Sequence, residues 1–296
     1  MPQSQTIFSG SKVHQNNVVN TAQKTTITLA NVNEFKQKAL RWSSQFNHVI
    51  LFDSNHYSLD QYSKMEWTLA VDAMDFVQPT SNYFSALEDF KQQHTNEFIC
   101  GFWRYDVLDA AIQHEVEAID ELGFPALYYF QPRYVFELKG NTLTVNRNYP
   151  ETFEIIERIQ SVTIELKTEK GEIVFTERTS KHDYIQQVNQ IKQHIEEGDF
   201  YELNYCTEVV AEQSTISPIA VFEQLNVNAE APFSCFVKFH ESYLLCASPE
   251  RFLCKRGHKM ISQPIKGTIR RGRNVEEDEN LKSELLHSEK EQAENV

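Results

Sequence analysis

The sequence predicts an α+β fold of mainly antiparallel sheets with flanking helices. Three observations point there. Strand-like runs follow one another across short polar turns instead of alternating one by one with helices. Turn signals at Gly140-Asn141, Lys170-Gly171 and Arg256-Gly257-His258 sit between apolar runs, as hairpins require. Helical periodicity is confined to separate blocks between groups of strands.

In chain order, residues 1–24 are rich in Gln, Asn, Ser and Thr and read as a flexible extension. TTITLA opens the ordered part, and a helix is expected to start near Asn33, with Phe35, Leu40 and Trp42 on its apolar stripe. HVILFD (48–53) and MEWTLAVDA (65–73) read as strands. Residues 83–94 read as a helix that buries Phe84, Leu87 and Phe90. The aromatic stretch 98–145 is expected to supply at least four strands.

Residues 180–198 form the clearest helix. Ser180 is the N-cap, Asp183 follows three residues on, Tyr184, Val188, Ile191 and Ile195 share one face, and Gly198 is the stop. Strands are expected at DFYELNYCTEVV, at 233–239, at 243–248 and on both sides of Arg256-Gly257-His258. A charged helix then starts at Glu276, with Leu281, Leu285 and Ala293 as a thin stripe.

The chain of 296 residues carries a formal charge of −14, with Arg270, Arg271 and Arg273 clustered against that acidic background. Such a surface is a poor partner for nucleic acid, whose phosphates need surplus Lys and Arg. No apolar run approaches the ~18 residues of a membrane helix, so no membrane partner is expected. The five cysteines have no CxxC spacing and four lie in apolar runs, which predicts buried thiols in a reducing compartment, the cytoplasm. Metal-ligand His/Cys spacing, Walker loops, GxGxxG and GxSxG are all missing from the sequence.

One constellation in the second half can carry chemistry. Glu250 ends the apolar run CASPE, placed to act as a general acid. Lys266 follows the next hairpin in QPIKGT and can act as nucleophile or base if burial favours its neutral form. Gly267 lets backbone approach a ligand, and Thr268 can hold a carboxylate. Glu291 and Glu294 share a helix face and offer oxygen ligands to Mg2+. Each also has an ordinary reading, since a Lys beside a glycine turn and acids on a terminal helix are commonly solvated surface.

The runs EEGDFYELNYCTE, NAEAPFSCFVKF, LLCASPERF, QPIKGTIRRG and KEQAEN stand here in the order found in the chorismate-binding enzyme family. The chain resembles that family, and LFDSNHY and GFWRYD are similar to landmarks of its N-terminal domain. The resemblance implies an anthranilate-synthase-like fold, with an N-terminal domain over 25–176 and the first part of a chorismate-binding domain over 177–296.

The resemblance further implies an enzyme. Lys after PI, rather than Ala, points to aminodeoxychorismate synthase component I, which makes 4-amino-4-deoxychorismate from chorismate and ammonia. Anthranilate synthase component I and isochorismate synthase are the alternatives. By the same resemblance Lys266 is the nucleophile and Glu250 its acid, Gly267 and Thr268 contact substrate, and Glu294 with neighbouring Glu291 binds Mg2+. Ammonia would come from a glutamine amidotransferase partner. Ser54 and the stretch Pro232 to Ser234 match the landmarks of an amino-acid pocket, although NAEAPFS replaces the NPSPYM-type run of feedback-inhibited relatives. Members of the family continue past the final helix, so the chain is expected to be C-terminally truncated, inactive alone, or a non-catalytic binding remnant.

Overall fold

The computed structural model describes residues 7–9, 12–13, 19–21, 24–57, 62, 65–105, 107–108, 120–146, 151–164, 173–265 and 267–289. The chain divides into two compact units, Met1–Ile164 with Phe222–Val296, and Glu165–Val221.

The first unit is built on one large sheet. Its strands are β1 (Ile7–Ser9), β2 (Lys12–Val13), β3 (Val19–Thr21), β4 (Lys24–Leu29), β5 (His48–Asp53), β6 (Trp67–Val77), β7 (Cys100–Trp103), β8 (Leu127–Lys139), β9 (Thr142–Asn146), and, from the second half of the chain, β12 (Phe233–Phe239) and β13 (Ser242–Ser248). They lie in the order β13-β12-β5-β6-β8-β9-β4-β1-β2, with β3 on β4 and β7 on β8. Every pairing is antiparallel except β1 on β4. The expected α+β class with mainly antiparallel sheets is what the molecule has.

Helices α1 (Val32–Ser43) and α3 (Thr152–Ser161) pack on each other, and Lys38 Nζ donates to the Gln160 carbonyl at 2.7 Å. α1 begins where Asn31 Oδ1 accepts the Glu34 N–H at 3.1 Å, two residues ahead of the expected start. It buries Phe35, Leu40 and Trp42, as its spacing predicted, and Trp42 meets Tyr134 and Phe136 edge-on. The opposite arrangement of side chains along β5 puts Ile50 into a second cluster with Tyr128, Phe130, Val237 and Phe239. Full burial of each such side chain contributes roughly 1.5–3 kcal/mol, which is why β5 and β6 read as near-continuous apolar runs. α2 (Tyr83–Gln93) buries Tyr83, Leu87 and Phe90; Phe84, expected inside, is exposed, and Tyr83 takes its place at the i, i+4, i+7 spacing.

Several expectations differ from the structure. The aromatic stretch gives three described strands rather than four, because FPALYYFQPRYVFELKG folds as the single long β8. Its Pro132 has no N–H to pair, and β6 accommodates it with a register shift between Ala73 and Asp75 next to Asp72, at φ 65°. Some of the polar extension pairs as β1–β3 along β4, since edge pairing uses main-chain groups and needs no apolar side chains. α3 and α5 (Pro218–Ala229) were not anticipated. The Lys170-Gly171 hairpin lies outside the described residues.

The rest of the first unit is the hairpin of β14 (Arg251–Arg256) and β15 (Lys259–Gln263), turned at Gly257 with φ 58°, and helix α6 (Val275–Leu286), one residue earlier than expected. Ala293 is outside the described residues.

In the second unit β10 (Thr176–Glu177) pairs with β11 (Val209–Val210), and α4 (Lys181–Glu197) has the Ser180 N-cap and the left-handed Gly198 stop that its sequence announced. The run DFYELNYCTEVV contributes only β11, not the long strand expected. No residue of α4 is buried, so the face of Tyr184, Val188, Ile191 and Ile195 is amphipathic without a covering layer among the described residues. No helix among the described residues is long and apolar enough to cross a membrane.

Candidate functional site

The β5–β12 pairing sets the first part of the site. Ser234 stands opposite Asp53, so the turn after β5 meets the entry to β12. Asp53 Oδ1 accepts the Asn55 N–H at 3.0 Å, and Asn55 and His56 both take left-handed conformations, which turn the chain sharply. Asn55 donates from Nδ2 to Asn226 Oδ1 and to the Ala231 carbonyl, each at 2.8 Å, tying this turn to the chain ahead of β12. Lys36 pairs with Asp53 at 3.2 Å. Lys36, Asn55 and Asn226 were not singled out from the sequence; three separated polar residues carry no mutual signal until the sheet is built.

Ser54, Pro232 and Ser234, expected in an amino-acid pocket, line one cavity of about 540 Å3. Ser54 and Ser234 are buried. Phe52, Met65, Trp103, Phe233 and Phe252 give the walls their apolar character, and Glu250 and Arg251 sit on the lining. The Arg251 guanidinium lies 4.9 Å from the centre of the Phe233 ring, a cation–π contact. The cavity can hold a small molecule with an apolar body and a polar end. Cys235, also on the lining, stands directly opposite Cys246, and burial, followed by that neighbour, pushes the Cys235 thiol up to about 12.

Glu250 lies in the tight link between β13 and β14. Ser248 Oγ accepts its N–H at 3.3 Å and donates to its carbonyl at 3.0 Å. Although Glu250 follows an apolar run, β13 is only half-buried and Glu250 is exposed, because β13 is the edge of the sheet. Its Oε1 accepts the Ile265 N–H at 3.2 Å, closing the β14–β15 hairpin at its base, where Arg251 pairs with Gln263. Glu250 and Ile265 thus stand side by side at the two ends of the hairpin. Gly267 is in the left-handed conformation at φ 81°, and Thr268 is exposed. Lys266, Glu291 and Glu294 lie outside the described residues.

Beyond Thr268 the chain is held by the first turn of α6. Asp278 accepts Nε and Nη2 of Arg271 at 2.8 and 2.5 Å and the Gly272 N–H at 2.7 Å. Glu277 accepts the Arg273 N–H at 2.7 Å and Arg270 Nη2 at 2.5 Å. The Arg271 guanidinium, then the Gly272 N–H, draw the Asp278 carboxyl down to about 2, and the Arg273 N–H followed by Arg270 lower that of Glu277. Sequence reading noted the arginines and missed these acids, whose only signal was acidic residues in a first helical turn.

The family model described as chorismate binding enzyme matches residues 27–296. Aminodeoxychorismate synthase component 1 of Bacillus subtilis is 27% identical over 234 residues, 73% of this chain and 49% of that protein. The probable chloroplastic aminodeoxychorismate synthase of Oryza sativa is 37% identical over 139 residues, 46% of this chain and 15% of that protein. The chain thus spans half or less of the length of these relatives. Among solved structures, anthranilate synthase component I from Streptococcus pneumoniae has a TM-score of 0.58 at 17% identity, covering 96% of this chain and 62% of that one. The menaquinone-specific isochorismate synthase of Escherichia coli has 0.56 at 15% identity, covering 87% and 57%. These two share the fold. With the match running through both the β5 turn and the β14–β15 hairpin, the chain belongs to the chorismate-binding enzyme family.

Proposed function

We propose that the chain carries the first part of the active site of an aminodeoxychorismate synthase component I, which makes 4-amino-4-deoxychorismate from chorismate and ammonia. The observation that carries this reading is the hydrogen bond from the Ile265 N–H to Glu250 Oε1, which brings an acid to the residue immediately before Lys266. The Bacillus subtilis relative bears the same functional name.

In this reading the neutral Lys266 amine attacks the chorismate ring, forming a C–N bond, while Glu250 protonates the departing 4-hydroxyl, which leaves as water. Ammonia then forms its own bond to the ring and the Lys266 amine departs. Gly267 and Thr268 contact the substrate. Glu294 and Glu291 would hold Mg2+, for which carboxylate oxygens are the fitting donors, and the ion would neutralise the substrate carboxylate when bound. A glutamine amidotransferase subunit supplies the ammonia. The 540 Å3 cavity at Ser54, Pro232 and Ser234 takes an amino acid with an apolar side chain.

The test is incubation of the longest natural form of the protein with chorismate, ammonium and Mg2+, with the product identified chromatographically. 4-Amino-4-deoxychorismate is expected, and Lys266→Ala should lower its rate at least a hundredfold, the scale on which nucleophile and acid–base groups act. Anthranilate or isochorismate as product, or an unaffected variant, would overturn the assignment.

A further inference from the structure

We propose that Cys235 and Cys246 are a paired-thiol modification site, which takes a small-molecule disulfide such as oxidised glutathione and closes to a Cys235–Cys246 disulfide. The two cysteines are direct partners in the register of the β12–β13 hairpin. Side chains directly opposite each other share one face of a sheet, and here the two thiols are in hydrogen-bond contact. Antiparallel partners hold their Cα atoms roughly 4.5–5.5 Å apart, within the roughly 4.4–6.8 Å that a disulfide spans. The bond therefore needs side-chain rotation and no rearrangement of the strands. On its other side Cys235 faces Phe52 of β5, so that cross-strand neighbour offers no competing sulfur.

Access and proton affinity assign the two sulfurs different parts. Both thiols are half-buried, whereas Cys100 and Cys254 are buried and Cys206 is exposed. Cys235 lines the cavity beside Phe233 and Ser234, and Cys246 lies on β13, the edge of the sheet. Burial, then the neighbouring Cys246 sulfur, holds the proton on Cys235, so the first attack belongs to Cys246. Its proton goes to solvent, and its thiolate attacks one sulfur of glutathione disulfide. A Cys246–glutathione bond forms and one glutathione thiolate leaves. Cys235 then loses its proton and attacks the Cys246 sulfur, which forms the Cys235–Cys246 bond and expels the second glutathione. Two protein thiols are oxidised, and one glutathione disulfide is reduced to two glutathiones. The sulfurs close to about 2.05 Å, which draws the Cys235 sulfur toward β13 within the cavity wall. No group of the proposed synthase reaction takes part.

The experiment treats the purified full chain with glutathione disulfide, blocks remaining thiols with N-ethylmaleimide, and maps a non-reduced tryptic digest by mass spectrometry. Lys238 lies between the two cysteines, so the linkage appears as a joined pair of peptides. That pair is expected in the native chain, and the exposed Cys206 reports that the oxidant reached the protein. Cys235→Ser should trap Cys246 as its glutathione adduct, at a level at least tenfold above that in the native chain. Cys246→Ser should leave Cys235 unmodified, because the sulfur that attacks first is gone. Absence of the joined pair while Cys206 carries glutathione overturns the proposal, as does a pair that forms only in unfolding concentrations of urea. Equal glutathione adducts on Cys246 in the native chain and in Cys235→Ser would also overturn it. If a serine variant does not fold, the native chain decides alone by the joined pair.

Discussion

Gly101 illustrates how one atom decides a position. It lies on β7 against β8, and a Cβ there would fall 2.6 Å from the Tyr129 Cα and closer to the Tyr128 carbonyl oxygen. Gly101→Ala is therefore expected to destabilise the protein by about 1–3 kcal/mol, the usual cost of overpacking, read as a lower urea midpoint at unchanged slope. His94 is a second case. Burial pulls its pKa down, but hydrogen bonds and charges from Glu97, at 2.9 Å, and Asp75, at 3.0 Å, prevail and raise it. A raised folded-state value stabilises the fold fully below the unfolded value of about 6.5, and the contribution disappears as pH rises through the folded value. The melting temperature of the native protein should exceed that of His94→Gln by more at pH 5.5 than at pH 9. An equal difference at both would show that the imidazolium contributes nothing. The cysteine reading held in part at this scale: Cys100 and Cys254 are buried, Cys235 and Cys246 are half-buried, and Cys206 is exposed.

Among elements, those whose signals are local were legible. α4 has its N-cap, its apolar spacing and its stop written within nineteen residues, 180–198, and folds between those marks. α1 is similar, and Asn31→Ala should cost about 1 kcal/mol, since it removes the acceptor of the Glu34 N–H; a variant with unchanged thermal stability would show that the cap is dispensable. β8 was harder. A proline in an aromatic run suggests a break, whereas here the partner strand shifts register and the strand continues. α3 was legible in principle, because Ile155, Ile156 and Ile159 fall on one face. The Glu250 turn was legible as a link between strands and not as exposed, because edge position is a property of the sheet order.

At the scale of the whole molecule the two units differ in how they are held. The first contains the buried core on both faces of the large sheet, while none of the described residues of 173–221 is buried. Amide exchange should therefore be slowest in β5, β6 and β8 and faster by orders of magnitude in α4, since opening without buried apolar area costs little. Protection of α4 equal to that of β6 in the isolated chain would contradict this. The first unit joins parts far apart in sequence, since the chain from Phe222 onward clusters with the part up to Ile164.

What the sequence determined by itself was the class of fold, the hairpins and helices with local caps, and the family, because these depend on periodicity and turn chemistry within a few residues and on motifs read in order. Only the tertiary structure decided that Ser54, Pro232, Ser234 and Glu250 share a cavity, that Glu250 holds Ile265, and that Glu277 and Asp278 grip the arginine loop. Those juxtapositions come from strand order and hairpin closure between distant segments. A carboxylate has no preferred partner in sequence; it acquires one when the backbone of another segment is brought within about 3 Å.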